Sequence, residues 1–298
     1  MSEFLQIAFA GLALGARYAL VALGFVIIYK ATGVINFAQG ALLALGTYMT
    51  YALVNSAELP FWLAVLGGAA ATALVGAAIE ALVLRRMVGQ PVFAVIMITI
   101  GLLFFIDQVI TVIWGFDALN LNDPWGVETI DVSGVTMSVR DLWTLGIAGF
   151  VLAAFFAFFR FTDWGVAMRA TAHDQEAALA QGISARKVFA LSWAISGALA
   201  ALAGVTLAAG AAAVTPGIGT VALLAFPAMI VGGLDSPVGA VLGGLIIGLT
   251  QALVAGYQDD VAPWLGDGFS GVAPYVVMIL ILLVRPYGLF GTPEVRRV

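Results

Sequence analysis

Long apolar segments separated by short polar ones run along the whole chain. A helix needs about 20 apolar residues to cross the hydrocarbon core of a bilayer. On this basis the pattern predicts about nine spans, with an uncertainty of about one either way. The seventh and ninth segments are short, which is compatible with broken or re-entrant elements. The predicted segments are 4–29, 37–54, 61–84, 92–114, 142–160, 188–210, 219–233, 238–256 and 271–284.

The composition fits a membrane protein better than a soluble one. Of 298 residues, 62% are hydrophobic and 10% are charged, whereas soluble domains are about 45–50% apolar and about 25% charged. A soluble fold of this length cannot bury so much apolar surface, so lipid must be the solvent. No linker or low-complexity tract divides the chain. We therefore expect an all-α, polytopic transmembrane helical bundle that forms one domain over residues 1–298.

Small residues recur four positions apart in several of the apolar segments. This spacing places them on one helix face, where two backbones can approach closely. We therefore predict tightly packed helices rather than helices lining a wide aqueous pore. The pairs and triplets are Gly11 with Gly15, Gly68 with Thr72 and Gly76, Gly239 with Gly243, and Gly244 with Gly248.

Several kinds of chemistry are excluded by residue counts. The chain has no Cys, and its single His, His173, cannot form a cluster of histidine ligands, so we expect no metal site. A phosphate-binding loop needs a Gly-Lys pair, but the only lysines are Lys30 and Lys187, and neither follows Gly. No Ser-His-Asp or paired-carboxylate arrangement indicates an enzyme. We therefore expect a non-enzymatic chain that binds no cofactor itself.

The distribution of Lys and Arg predicts the orientation, because these residues are enriched in short cytoplasmic loops. Met1-Ser2-Glu3-Phe4 has an acid but no base, unlike a secretory signal, so we expect the first apolar segment to remain as a span. The N-terminus is then outside and the C-terminus in the cytoplasm of a bacterium, with the chain in the inner membrane. The ten basic residues placed inside are Lys30, Arg85, Arg86, Arg160, Arg169, Arg186, Lys187, Arg285, Arg296 and Arg297.

Two charged residues lie well inside predicted spans. Arg17 is near the middle of the first, where a charge costs about 2.5–3.5 kcal/mol on insertion scales. Asp107 lies in the fourth span. One interpretation is that the two side chains pair inside the bundle. The alternative is that Arg17 extends towards the interface or binds backbone carbonyls.

The first polar interruption runs from Thr32 to Gly40 and contains Asn36 and Gln39. Asn36 is a suitable residue to cap the second helix. Alternatively, Asn36 and Gln39 line a transport route near a broken helix, and both roles are compatible. The candidates for a substrate pathway are Asn36, Phe37, Gln39, Arg17 and Asp107.

The polar segment at about 162–187 predicts a short helix outside the membrane. Asp174 is a suitable N-cap, Glu176 lies in the first turn where acids are favoured, and Gly182 is suited to the position after the helix. Residues from Gln175 to Gln181 are good helix formers. A loop that only connects two spans rarely needs such an element, although a solvated connector is the simpler alternative.

Four blocks of sequence carry a resemblance to a known family. Glu176-Ala177-Ala178, three residues and then Gly182 match the core of the EAA loop of ABC-importer permeases, without the Ile and Leu-Pro of its longest form. With three further blocks, the chain resembles the LivH-type permease of branched-chain amino-acid ABC transporters. Those blocks are Gly33-Val34-Ile35-Asn36-Phe37-Ala38-Gln39-Gly40, Val231-Gly232-Gly233-Leu234-Asp235-Ser236-Pro237-Val238-Gly239 and Arg285-Pro286-Tyr287-Gly288-Leu289-Phe290-Gly291.

The resemblance implies an ABC-importer permease fold and a multi-subunit importer for branched-chain or related amino acids. This chain would form half of the translocation path and pair with a LivM-like permease. Two ATPase subunits would bind ATP, and a periplasmic substrate-binding protein would deliver the amino acid. The short helix would then be the coupling helix that contacts an ATPase, with Asp174, Glu176, Ala177, Ala178 and Gly182 as its main residues.

Other transport classes remain open from the sequence. An ion-coupled secondary transporter of small polar solutes would need buried carboxylates or His, and Asp107 is the main support for it. A channel would need rings of polar residues along a pore. Within the importer class, the substrates of related permeases also include amides, urea and aromatic acids, and the sequence does not choose among them.

Overall fold

A computed structural model describes residues 2–132, 134–210, 213–266 and 268–292. These residues form an all-α structure with one small β-hairpin. The predicted cytoplasmic residues Arg296 and Arg297 lie outside the described ranges. The helices are α1 (Ser2–Thr32), α2 (Gln39–Asn55), α3 (Phe61–Leu82), α4 (Val92–Trp114), α5 (Val139–Phe161), α6 (Asp163–His173), α7 (Gln175–Ala180), α8 (Ala185–Ala208), α9 (Val221–Gly232), α10 (Pro237–Val261) and α11 (Ala273–Val284).

Every predicted apolar segment coincides with a helix, but not every helix is long enough to cross a bilayer. In the described part of the chain, six helices have that length and apolarity: α1, α3 with the 3₁₀ turn that follows it, α4, α5, α8 and α10. By contrast, α2 has 17 residues, and α9 and α11 have 12 each. The predicted count of about nine spans is therefore not confirmed.

Helix α1 lies at the centre of the bundle and packs against α5, α8, α9 and α10. In the most apolar 18-residue window of α1, 89% of the residues are buried, against 17% in the corresponding windows of α4 and α5. The apolar side chains of α4 and α5 are therefore left for lipid, whereas those of α1 form the core. A mid-span charge on α1 must consequently find its partner within the protein.

The small-residue pairs allow the close helix packing that was predicted. A Cβ atom on Gly248 of α10 would lie 2.3 Å from the Cα of Gly15 on α1. Between α3 and α8, a Cβ on Gly76 would lie 2.5 Å from the carbonyl oxygen of Trp193. Both distances are too short for any side chain, so backbone contacts bring these helices together and this prediction is confirmed.

The segment between α4 and α5 forms a small ordered structure that the hydrophobic pattern did not predict. Strands β1 (Thr129–Val132) and β2 (Val135–Ser138) pair antiparallel, with Ile130 opposite Met137. The indole rings of Trp62, Trp125 and Trp143 cluster beside it, with centroid separations of 5.2 Å to 6.1 Å. Aromatic clusters of this kind favour the level of the lipid headgroups.

Candidate functional site

The turn before α2 is held by the side chain of Asn36, but Asn36 does not cap the helix. Its Oδ1 accepts a hydrogen bond of 3.0 Å from the backbone N–H of Ala38. Ala38 occupies the N-cap position of α2 and makes no side-chain capping bond. The prediction that Asn36 caps α2 is therefore wrong. Its side chain closes a turn with Ala38, before the first residue of the helix.

Gln39 begins α2 and is fully buried against α1 and α8. Its Nε2 donates to the backbone oxygen of Ser196 at 3.4 Å, and its Oε1 lies 2.7 Å from the Ser196 hydroxyl. That hydroxyl also lies 2.9 Å from the carbonyl oxygen of Gly24. A hydroxyl has one proton, so the two acceptors share it. Gln39 thus joins three helices through partners far apart in sequence.

Space for the Gln39 side chain depends on Gly24. A Cβ atom on Gly24 would lie 2.3 Å from Gln39 Nε2, so any larger residue there would displace the amide. Ser196 was missed from the sequence. Its signal was the pair Ser192 and Ser196, one helical turn apart in an otherwise apolar segment, which places two hydroxyls on the same helix face.

Phe37 connects the turn to α4 and to α9. Its backbone N–H donates to the Thr99 hydroxyl at 3.3 Å. Its ring stacks on Phe226 of α9 with centroids 6.0 Å apart, and Phe226 meets Phe25 of α1 edge to face at 5.9 Å. Pro227, inside α9, directly follows this aromatic contact. The turn therefore contacts a short helix that contains a Pro, the kind of element that lines substrate sites in transporters.

Arg17 forms a buried ion pair, but its partner is Asp141 rather than Asp107. The distance from Arg17 Nη2 to Asp141 Oδ1 is 2.6 Å, and Thr144 Oγ1 is 3.2 Å away. Arg140 also approaches Asp141, at 3.6 Å. The predicted Arg17–Asp107 pair is wrong because α5 packs on α1, whereas α4, which carries Asp107, packs on α2.

The segment between α5 and α8 contains two helices where one was predicted. The additional helix, α6, begins directly after Thr162, whose hydroxyl accepts from the Gly165 N–H at 3.1 Å. The predicted short helix is α7, and it follows α6 after Asp174 alone. The missed signal was this Thr-x-x-Gly cap directly after a span.

The ends of α7 have the predicted capping geometry. Asp174 Oδ1 accepts from the Ala177 N–H at 2.9 Å. After the helix, Gly182 adopts a positive φ of 82°, and the N–H groups of Gly182 and Ile183 bond to the carbonyls of Leu179 and Ala178, each at 3.0 Å. This pair of bonds is a Schellman motif, which requires a left-handed residue where Gly is found.

One face of α7 is turned away from the rest of the chain. Ala178 is buried against the bundle, whereas Glu176, Ala177 and Leu179 are exposed, Leu179 by 53%. The helix thus presents Leu179, Ala177 and Glu176 together on an exposed element that is capped at both ends.

The two remaining sequence blocks pack against each other. The N–H groups of Leu289 and Phe290 bond to the carbonyls of Val231 and Gly232 at 2.8 Å and 3.0 Å. The side chain of Asp235 accepts from Thr292. The block after α11 therefore fastens the connection between α9 and α10, which explains why both blocks carry glycines at their contact.

The candidate residues thus fall into separate places. Asn36, Phe37 and Gln39 lie together, Arg17 lies with Asp141 at the middle of α1, and Asp107 pairs with no charged group among the described residues. Asp174, Glu176, Ala177, Ala178 and Gly182 form the α7 element. The described residues contain no cluster of three or more His, Asp or Glu side chains suited to a metal ion.

Comparison with known proteins identifies the family. The chain matches the family model described as branched-chain amino acid transport system / permease component over residues 7–282. It is 32% identical to the high-affinity branched-chain amino acid transport system permease protein LivH of Escherichia coli strain K12, covering 99% of this chain and 98% of the relative. It is 30% identical to the corresponding protein BraD of Pseudomonas aeruginosa, with the same coverage.

A more distant relative and one solved structure are also similar. The probable branched-chain amino acid transport permease protein LivH of Methanocaldococcus jannaschii is 29% identical, over 91% of this chain and 88% of the relative. The structure of PsaBC from Streptococcus pneumoniae in complex with Fab gives a TM-score of 0.47 at 17% identity, covering 93% of this chain and 90% of that one. The structural likeness carries no conclusion at that score. The near full-length sequence matches decide the matter: the chain belongs to the family of permease components of branched-chain amino acid transport systems.

Proposed function

We propose that this chain is the membrane-spanning permease subunit of an ATP-driven importer for branched-chain or related amino acids. It forms half of the translocation path. The observation that carries the proposal is the match along nearly the whole chain to relatives named as branched-chain amino acid transport permeases. The family model covers the turn before α2 and α7, which lie within residues 7–282.

The other components of the importer are a LivM-like permease, two ATPase subunits and a periplasmic substrate-binding protein. The sequence supports separate ATPases because it lacks the Gly-Lys pair of a phosphate-binding loop. ATP therefore binds to partner subunits, and this chain binds no cofactor. It acts as one permease domain in the bacterial inner membrane.

The topology proposed here has nine membrane segments that all cross the bilayer, with α2, α9 and α11 doing so with the help of their flanking residues. The N-terminus is outside, and α7 and the C-terminus are cytoplasmic. Contacts between loops support the alternation of sides. Asn55, the last residue of α2, donates to the Asn120 carbonyl at 3.4 Å, and the N–H of Leu119 bonds to the Val214 carbonyl at 3.0 Å. These contacts join three loops assigned to the outside.

Contacts at the opposite end join loops assigned to the cytoplasm. Lys30, in the last turn of α1, donates to the backbone oxygen of Asp235 at 2.8 Å, and Asp235 in turn binds Thr292 after α11. A topology with one span more or fewer between these loops would place them on opposite sides of the membrane. Single cysteines at 122 and 175 of this Cys-free chain test the orientation with an impermeant maleimide in intact spheroplasts. Labelling at 175 but not at 122 would contradict it.

Within the importer, α7 is the coupling helix and the Asn36–Gln39 turn lies beside the translocation path. The exposed face of α7 supports the first assignment, because a rigid element outside the membrane is needed to transmit movement of the ATPases. The contact of Phe37 with the Pro-containing helix α9 supports the second. Arg17 and Asp141 stabilise the outer half of the bundle.

Reconstitution tests the proposed function. The chain is co-expressed with the permease, ATPases and receptor encoded beside it, and uptake of radiolabelled leucine into proteoliposomes is measured. We expect uptake that requires both ATP and the receptor. Unlabelled isoleucine and valine should compete with leucine. If only urea, amides or aromatic acids were transported, the substrate would be one of these compounds instead of a branched-chain amino acid. Uptake driven by an ion gradient without the ATPases would instead establish a secondary transporter.

A further inference from the structure

A cavity of about 200 Å³ lies between the turn before α2 and the helix α7. It is partly open to the surface, because exposed residues such as Gln90 and Gln175 are among those that line it. The end of α3, the start of α4 and the first half of α8 complete its walls. A single ordered water needs about 10–15 Å³, so this space accommodates a small organic molecule. Its walls come from this chain alone, and of the residues that line it only Asn36 has been placed beside the translocation path.

Most of the lining is apolar, but a buried carboxylate enters it. Glu80, near the end of α3, is 2% exposed and lines the cavity. Its Oε2 accepts from Arg85 Nη2 at 2.8 Å, and Oε1 accepts no hydrogen bond from the described residues. Because Arg85 balances the charge, the site as a whole is close to neutral. A neutral site that retains a free carboxylate oxygen favours a ligand with an ammonium group and a compensating negative charge.

A hydrogen-bond donor without a partner lies in the same wall. Trp193 of α8 is 1% exposed and lines the cavity, and its indole Nε1 has no acceptor among the residues that the structure describes. A buried donor of this kind costs about 1–3 kcal/mol when it remains unpaired. Gly76 contacts the Trp193 backbone and Gly197 contacts the Thr72 backbone, so α3 and α8 run antiparallel. Glu80 lies one turn from Gly76, at the end of α3 beside the first half of α8.

We propose that this cavity is a binding site for a free amino acid with an apolar side chain, separate from the translocation path. Glu80 accepts from the α-ammonium group, Trp193 Nε1 donates to the α-carboxylate, and side chains such as Val95 and Phe189 surround the aliphatic part. That the bound amino acid is also the transported one rests on the proposed function. Under the topology above, the cavity belongs to the cytoplasmic half of the chain.

The site also connects two functional elements. Asn36 of the turn before α2 and Gln175, the first residue of α7, both line the cavity. A ligand bound there contacts the coupling helix and the turn beside the path at once. The amino acid that accumulates inside the cell therefore binds where it can alter coupling, as the product of the transport reaction.

Equilibrium binding of radiolabelled L-leucine to the receptor-free, complete transporter in nanodiscs tests the site. We expect saturable binding to the wild type, and binding at least about tenfold weaker for leucine methyl ester and for 4-methylpentanoate, each of which lacks one charge. Equal binding of either analogue would overturn the proposal, because the site would then not recognise a zwitterion.

Variants locate the binding to this cavity. Glu80→Gln should weaken leucine binding by about tenfold to a hundredfold, and Trp193→Phe by about tenfold, since each removes one hydrogen bond to a charged group. Val95→Phe, which fills the cavity without a change of charge, should abolish binding even if Glu80→Gln does not fold. Asp163→Asn, an exposed acid of α6, is the matched control and should bind like the wild type. Unchanged affinity in the Val95 variant would overturn the proposal.

Receptor-dependent uptake in the same preparations separates this inference from the proposed function. Normal uptake of leucine without any receptor-independent binding would overturn the cavity site alone. Cavity-dependent leucine binding without ATP-dependent uptake of any amino acid would overturn the proposed function and leave the site standing.

Discussion

The α7 segment and the turn before α2 are both short polar interruptions between apolar helices, yet they are stabilised in different ways. In α7, the bonds of Asp174 and the Schellman pair at Gly182 all join residues within the same ten positions. In the turn, Gln39 bonds to Ser196, and Phe37 bonds to Thr99 and stacks on Phe226. An element such as α7, whose bonds are all local, can move as a unit. The turn before α2 is held by contacts with three helices, so its structure depends on how those helices pack.

The largest effect is expected from breaking the local element. Gly182→Val forces a β-branched residue into a left-handed backbone, at a cost of about 1–2 kcal/mol, which a six-residue helix cannot absorb. Ala177→Asp places a charge on the exposed face. We expect each variant to insert and to bind the partner permease but to lose receptor-stimulated ATP hydrolysis, measured with purified transporter.

The matched control for this prediction lies at the other end of the molecule. Gly115 follows α4 with a positive φ of 80° and open space around it, as does Gly182. Its ψ of −162° lies in a region that is open essentially only to Gly. Gly115→Val therefore introduces backbone strain at least as large as that of Gly182→Val, away from α7, and should leave ATPase stimulation intact. Normal, receptor-stimulated transport in both the Gly182 and Ala177 variants would show that α7 is only a connector.

The ion pair of Arg17 is a second interaction between residues that are far apart in the sequence, like the bond between Gln39 and Ser196. Removing one member of a buried ion pair costs about 3–5 kcal/mol, since the other charge is left unpaired. Arg17→Ala or Asp141→Ala should therefore lower the melting temperature of the detergent-solubilised protein strongly, and the double variant should recover part of the loss. Asp107→Ala should have little effect. Strictly additive losses for Arg17 and Asp141 would mean that the pair contributes nothing.

A smaller effect is expected where Gln39 meets α8. Ser196→Ala removes a hydroxyl shared by Gln39 and Gly24, at a cost of about 0.5–1.5 kcal/mol. Gly24→Ala should cost at least as much, because the added methyl group displaces the Gln39 amide. Both should reduce leucine uptake together with the melting temperature.

Ser192 provides the control for a long-range hydroxyl. It is as buried as Ser196, but its hydroxyl donates only to the Val188 carbonyl of its own helix, at 2.9 Å. Ser192→Ala should therefore have less effect on both measurements than Ser196→Ala. Equal losses at the two positions would contradict a special role for the bond to Gln39.

The structure of α7 could be predicted from the sequence because its interactions are local. The cap at Asp174, the helix and the terminating Gly182 were all predicted correctly, because each depends on residues a few positions away. The apolar pattern placed every long helix for the same reason. The end of α7 shifted by one residue, since Gln181 is the residue after the helix rather than its last member. The ends of the long helices shifted further, as in α10, which was predicted to end at 256 and ends at Val261.

Partners that are distant in sequence were missed. Asp107 was chosen for Arg17 because it lies deep in a span, but helix packing brings Asp141, in the first turn of α5, to the arginine instead. The contact between the blocks at Val231 and Leu289 was equally hidden, because nothing in either block specifies the other. The pattern of apolar and polar residues along one helix predicts which of its faces is buried. Which faces of different helices contact each other is known only from the packed structure.

A partial effect on coupling is expected at the start of α7. Asp174→Ala removes the bond to the Ala177 N–H, at a typical cost of about 0.5–2 kcal/mol for an N-cap. Because α6 and the Schellman motif still constrain the segment, we expect partial loss: faster amide hydrogen exchange in α7 and a two- to threefold decrease, roughly, in receptor-stimulated ATP hydrolysis. Asp174→Ser should restore both, since a hydroxyl also caps, whereas Asp163→Ala should change neither. If Asp174→Ser behaved like Asp174→Ala, the carboxylate would act by contact with the ATPase rather than by capping, and the stability of α7 would not be purely local.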